Sequence, residues 1–116
     1  MTSETIIGIP ISNEIILGYF KRLVDKLFKI LPMRENNEES LTTYMQTLQV
    51  ELLGLQEFIV TINNDADYLS ILSILQYLID DPDCSISIVK REVFSAISIC
   101  NRLRARFRAY FKSGVM

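Results

Sequence analysis

The sequence contains no histidine. That absence removes the usual zinc ligand set, the Ser-His and Cys-His dyads, and the commonest general base near neutral pH. Four glycines and three prolines leave little room for a turn-rich all-β fold. The glycines, at positions 8, 18, 54 and 114, never cluster, so no phosphate loop or dinucleotide fingerprint can be built from them. Two cysteines, Cys84 and Cys100, are too few for a disulfide framework. On one helix they would stand about 24 Å apart, beyond the reach of a bridge. They read as small buried thiols. No uncharged apolar run reaches membrane-spanning length. The N-terminal stretch Met1–Pro10 lacks a basic region and is broken by Pro10, so a secretory signal is not expected. A reducing cytoplasm is the expected location.

What is present suits one globular domain. The chain has 116 residues, 49% apolar and 22% charged, which argues against disorder. Area scaling expects roughly 6,500 Å² of folded surface, with about two thirds of the unfolded chain's surface hidden. Charge is unevenly divided. Residues 1–87 hold five cations and thirteen acids, net −8. Residues 88–116 hold seven cations and one acid, net +6. An acidic body with a basic C-terminal element follows.

Hydrophobic spacing places the helices. Residues 1–11 have no helical period, and Ile6, Ile7, Ile9 and Ile11 suit an extended arm that packs or meets a partner. A first helix starts after Ser12 or Asn13 and buries Ile16, Tyr19, Phe20, Leu23, Leu27, Ile30 and Leu31. Pro32 is expected to stop it, leaving residues 33–37 as a polar loop. A second helix is expected from Asn36, with Glu39 resembling a capping box. Its seam, Leu41, Met45, Leu48, Leu52, Leu55, Ile59 and Ile62, alternates steps of four and three, which suits bundle packing near +20°. Gly54 within it implies a close helix approach or a kink. A third helix from Tyr68 to Ile79 is apolar nearly all round and should be central. A fourth starts between Asp83 and Ser87 and carries Val89, Val93, Ala96, Ile97, Cys100, Leu103, Phe107 and Tyr110 on one face. Within it, residues 84–89 alternate like a short strand that could pair with the arm. The expected fold is all-α: an antiparallel up-and-down four-helix bundle (12–116) with a short extended N-terminal arm (1–11).

Arg102, Arg104, Arg106, Arg108 and Lys112 occupy the side of the last helix away from its apolar stripe. Such a face is either solvated or met by an anionic partner. Arginine in preference to lysine suits bidentate contacts to carboxylate or phosphate. These five residues are the expected partner-binding site, for an acidic protein or for nucleic acid. Membrane-surface binding fits less well, because the aromatics fall on the stripe that the bundle needs. Asp81, Asp83, Ser85 and Glu92 take the ligand spacing of a calcium loop, but Ile86 stands where the sharp turn needs glycine. Helix capping explains them better, and no metal or other cofactor is expected. The pairs Glu38-Glu39 and Asp80-Asp81 sit at loops or caps. Asp25 and Glu51 read as facing the polar sides of their helices. No residue set supports a catalytic proposal or a small-molecule substrate. In size and helix count the chain resembles bacteriocin immunity proteins and small phage or mobile-element inhibitors, a likeness of shape that rests on no motif. The expected function is a non-enzymatic interaction protein (adaptor, inhibitor or immunity-type binder). The alternative is a nucleic-acid-binding module using the same arginines. Self-association is also expected, given the wide apolar stripe of the second helix.

Overall fold

Apolar spacing decides where each helix lies and which side it hides. The computed structural model describes residues 3–6, 9–59, 62 and 64–112; for 3–12, Phe58 and 110–112 it describes the backbone alone. Two strands, β1 (Ser3–Ile6) and β2 (Ile9–Ser12), precede α1 (Asn13–Phe28), α2 (Ile30–Glu35), α3 (Leu41–Phe58), α4 (Ala66–Asp80) and α5 (Ile86–Lys112). The architecture is the expected all-α bundle, with α1 and α2 together forming the first rod. Its accessible surface, 6680 Å², matches the area expected from mass alone.

Four contacts give the direction of each rod. In the first half of the α1–α2 rod, the Phe20 ring lies 5.7 Å from Phe107 late in α5. Arg34 at the end of α2 donates to the Cys84 carbonyl at 3.1 Å, just before α5. The Tyr68 hydroxyl, early in α4, donates to the Leu52 carbonyl of α3 at 2.7 Å. The Tyr44 hydroxyl, early in α3, donates to the Lys26 carbonyl late in α1 at 2.8 Å. Neighbours are therefore antiparallel, in the ring order α1, α5, α4, α3. The core draws on every rod: Phe20, Leu23 and Leu27; Met45 and Leu52; Tyr68, Ile71 and Leu75; Val93, Cys100 and Leu103. Both cysteines are buried thiols.

The arm differs from a single extended strand. β1 pairs antiparallel with β2, matching Ser3 to Ser12 and Ile6 to Ile9. Pro10 is tolerated because a two-stranded ribbon consists of edges only. Ile7 lies outside the described residues. The strand-like pattern at 84–89 forms no strand. Ser85 instead accepts from the Ile88 amide at 3.3 Å, capping α5 and starting the helix at Ile86. Helical residues thus occupy the second half of the suspected calcium loop, and its ligand geometry is not formed.

Pro32 does not end the first rod. It sits in the first turn of α2, where a missing amide proton costs little. The interruption falls at Lys29, beside the Phe28 carbonyl that Pro32 would otherwise have met. Residues 33–35, expected as loop, continue the helix. The stop comes at Asn37, whose φ of 52° is left-handed. Its amide donates to the Arg34 carbonyl at 3.1 Å, and the Glu38 amide donates to Met33 at 3.0 Å. This is a Schellman termination with asparagine in glycine's usual place. That turn occupies the expected capping box, so α3 starts at Leu41 and not at Asn36.

The α3 seam holds, with Met45, Leu48, Leu52, Ile59 and Ile62 buried. The helix itself ends at Phe58, and Ile59 turns to extended backbone, so Ile59 and Ile62 fill the core from the connection. The central position belongs to α5, not α4. α5 packs against α1, α2 and α4, whereas α4 packs against α3 and α5. Leu69 and Tyr77 of α4 are consequently exposed.

Gly54 does not mark a close approach. A Cβ there would meet no atom within 4 Å among the described residues. Helix-interior glycine costs about 1 kcal/mol against alanine. Gly54→Ala is therefore expected to raise stability by about 1 kcal/mol. Denaturant unfolding checks this: the midpoint should rise with no change in slope.

Candidate interaction site

The core line of α5 runs through Val89, Val93, Ala96, Cys100, Leu103 and Phe107. At 100° per residue this line leaves two flanks. One flank, with Arg102 and Arg106, meets the start of α4. The other, with Lys90, Phe94, Asn101, Arg104 and Arg108, meets α1. The expected five-cation face is thus divided between two sides of one helix.

Arg102 and Arg106 are engaged by the protein's own acids. Arg102 grips Asp67 with two donors, Nη2 to Oδ1 at 2.8 Å and Nε to Oδ2 at 3.3 Å. Arg106 Nη2 lies 2.8 Å from Asp65 Oδ2 and 3.2 Å from Asp67 Oδ2. The hydrogen bond from Arg102, aided by Arg106, holds the Asp67 carboxyl below its usual range despite partial burial. Asp65 has a second duty, because its Oδ1 accepts from the Tyr68 amide at 3.1 Å and caps α4. Arg104 and Arg108 make no ion pair among the described residues. The Lys112 side chain lies outside the described residues, as do those of Tyr110 and Phe111.

On the same flank of α5, about 15 Å along the axis from Arg104, lies an exposed aromatic pair. Phe28 of α1 and Phe94 of α5 are 51% and 49% exposed, with ring centroids 6.3 Å apart in an edge-to-face arrangement. Phe94 follows Lys90 by one turn, and Val24 and Ile97 are partly buried against the core. Lys90, Phe94, Ile97, Asn101, Arg104 and Arg108 recur at three- and four-residue steps over about 27 Å of helix. Cations thus stand at both ends of a strip whose middle holds the exposed Phe94, the half-buried Ile97 and the exposed Asn101. Sequence spacing located the arginines but not Phe28 and Phe94, because only the packing of α1 on α5 brings those rings together.

A second feature lies between α1 and α3. The Tyr19 hydroxyl donates to Glu51 Oε1 at 2.8 Å. Lys26 Nζ donates to the same carboxylate at 2.8 and 3.2 Å. Lys29 Nζ sits 5.5 Å from the Tyr44 ring centroid. An open cleft of about 340 Å³ lies alongside, lined by Asp25, Lys29, Tyr44, Thr47, Leu48 and Glu51 among others. Glu51 therefore does not face the polar side of α3, as its spacing suggested; it stands half-buried against α1. The signal that could have placed it there is its position one heptad after Tyr44, on the flank of the seam. Burial opposes ionisation of Glu51, but hydrogen bonds from Lys26 and Tyr19 overcome it and lower its pKa. Burial raises the Tyr19 phenol far above its usual value, and the Glu51 hydrogen bond and charge add to that. The carboxylate is already engaged and the phenol stays protonated, so this group offers neither a free base nor a nucleophile. Its chemistry is that of a latch.

Among the described residues, no cluster of three or more metal-ligating side chains is present, and no helix is long and apolar enough to cross a membrane. In comparison with known proteins, the chain matches no family model, no curated protein and no solved structure.

Glu51 and Asp67 both have lowered pKa values in the folded state. The stability they contribute is complete above the ordinary carboxylate pKa and is lost as pH falls through the lower folded values. Glu51→Gln should cost about 1 kcal/mol near pH 7 and progressively less on acidification. Unfolding midpoints measured from pH 7 down to pH 3 check this; the wild-type and variant curves should converge at the acid end.

Proposed function

We propose that this protein is a non-enzymatic binding module that takes an acidic protein partner on the α1–α5 face. One observation carries the reading. Arg104 and Arg108, which make no ion pair among the described residues, share a flank of α5 with the exposed Phe94, itself in contact with Phe28. Aromatic and arginine side chains are the residue types enriched at interface cores and hot spots. A carboxylate of the partner would reach the arginine forks, and an apolar side chain would cover the two rings. The tying-up of ionisable groups elsewhere supports a binding role over catalysis, since the convergent Tyr19, Lys26 and Glu51 already satisfy one another.

Nucleic acid suits the arrangement less well than an acidic protein. A phosphate backbone following the whole arginine ladder would pass over the carboxylates of Asp65 and Asp67, which already hold Arg106 and Arg102. The cationic surface left to phosphates is reduced accordingly.

Affinity capture from the native host with charge-reversed variants tests the proposal. Arg104→Glu combined with Arg108→Glu should reduce recovery of a specific partner at least tenfold, about 1.4 kcal/mol or more. Phe94→Ala should reduce recovery as well, while Arg102→Ala should leave it nearly unchanged. Equal loss from Arg102→Ala would overturn the assignment of the face. Salt-dependent binding to a generic duplex, weakened by the same Arg104 and Arg108 changes, would replace the protein partner with nucleic acid.

A further inference from the structure

Charge is distributed over the helices in a way that the α1–α5 reading leaves unused. Between Leu41 and Gln56, α3 carries one charged residue, Glu51, and between Tyr68 and Ile79, α4 carries none. Glu51 is turned toward α1 by Lys26 and Tyr19. Asp67, just before that stretch of α4, is turned toward α5 by Arg102. The remaining charges, Glu57 and Asp80, stand near opposite ends of the antiparallel pair. What α3 and α4 show to solvent between them is therefore uncharged. By contrast, α1 carries exposed cations and acids, and α5 carries exposed cations from Lys90 to Arg108.

This uncharged side is not merely polar. Val50, Leu53 and Leu69 are 67%, 44% and 40% exposed. Val50 and Leu53 are three residues apart, hence neighbours on α3. Leu69 lies two turns before Gln76, on the same side of α4. Gln49 of α3 donates to Gln76 of α4 at 2.6 Å, and Gln76 donates to Asp80 at 2.8 Å. The amides are thus held in place on the protein's own surface. An interface core has this composition: charged groups depleted, apolar side chains exposed, polar groups already partnered.

We infer that the α3–α4 face is the contact between two copies of this chain. A charged partner surface would lose hydration here and find no counter-charge, which is costly. A membrane surface is a poor match, because interfacial helices rely on lysine and arginine that this face does not have. A second copy presents the same uncharged, apolar-centred face, and a two-fold axis matches it to itself. The size is sufficient. The 18 residues of α3 extend about 27 Å, and two helices side by side span about 20 Å. Each copy then contributes roughly 500 Å² and the pair about 1,000 Å², the lower bound for a specific interface. In the ring order α1, α5, α4, α3, this face lies opposite α1–α5. The dimer would leave both arginine faces outward and so present two binding faces to a partner.

The test is the solution mass of the full chain by light scattering or sedimentation. At roughly 100 μM, a hundredfold above a micromolar Kd, the wild-type protein should have twice the 13.4 kDa chain mass. Leu53→Arg combined with Leu69→Arg should return it to the single-chain mass with an unchanged helical circular dichroism spectrum. Both sites are exposed, so the fold should tolerate the change. A second disruptive variant, Val50→Glu, should act in the same direction. Arg104→Glu with Arg108→Glu should remain dimeric, which separates this contact from the partner-binding face. A wild-type chain of single mass at that concentration would overturn the inference. So would a dimer that survives Leu53→Arg and Leu69→Arg.

Discussion

One apolar line along α5 governs the rest of the structure. Val89, Val93, Ala96, Cys100, Leu103 and Phe107 are all buried, and together they run most of the length of the longest helix. Each must lose contact with water, so α1 and α4 are drawn to either side of α5 and α3 closes the ring. Once that line faces inward, rotation about the α5 axis is no longer free. Lys90, Phe94, Arg104 and Arg108 must turn toward α1, and Arg102 and Arg106 toward α4. Burial of the apolar stripe thereby decides which cations meet acids and which do not.

The two flanks have different electrostatic fates for a local reason. α4 begins with Asp65 and Asp67, where carboxylates favour the positive end of a helix dipole. Antiparallel packing brings the last turns of α5 beside that end. The aspartates thus serve the α4 terminus and neutralise Arg102 and Arg106 as well. Arg104 and Arg108 form no such pair among the described residues. A ladder that appears continuous on a helical wheel is, in three dimensions, half engaged by the protein's own acids and half without an ion pair among the described residues. On the far side of the ring, between α1 and α3, a tyrosine–carboxylate–lysine latch bridges the seam.

Much of the fold was legible in the residues themselves. Steps of three and four located four rods, and the fourth starts at Ile86, inside the window expected between Asp83 and Ser87. The errors share a cause. Pro32 was read as a stop because a proline opposes helix before it; its place in a first turn depended on where the preceding rod broke. Asn37 carried no strong sign that it would take a left-handed φ and end α2. Glu51 read as solvated because a carboxylate beside an apolar seam gives no hint of which partners stand opposite. In each case the deciding neighbour is remote in sequence or set by a backbone conformation that periodicity does not encode. The candidate site follows the same rule. Arginine content marked the right helix, but the rings of Phe28 and Phe94 come from rods 66 positions apart.

By itself the sequence determined the class of structure, the number of rods and the identity of the buried stripe, because these depend on local periodicity and on the cost of exposing apolar surface. It also determined that charge would gather late in the chain. The tertiary structure alone decided how that charge is used, since ion pairing depends on distances across the bundle. Asp67 is thirty-five residues from Arg102 in the chain and within hydrogen-bonding distance in space. Packing direction, and not composition, made that pair and left Arg104 and Arg108 without one among the described residues.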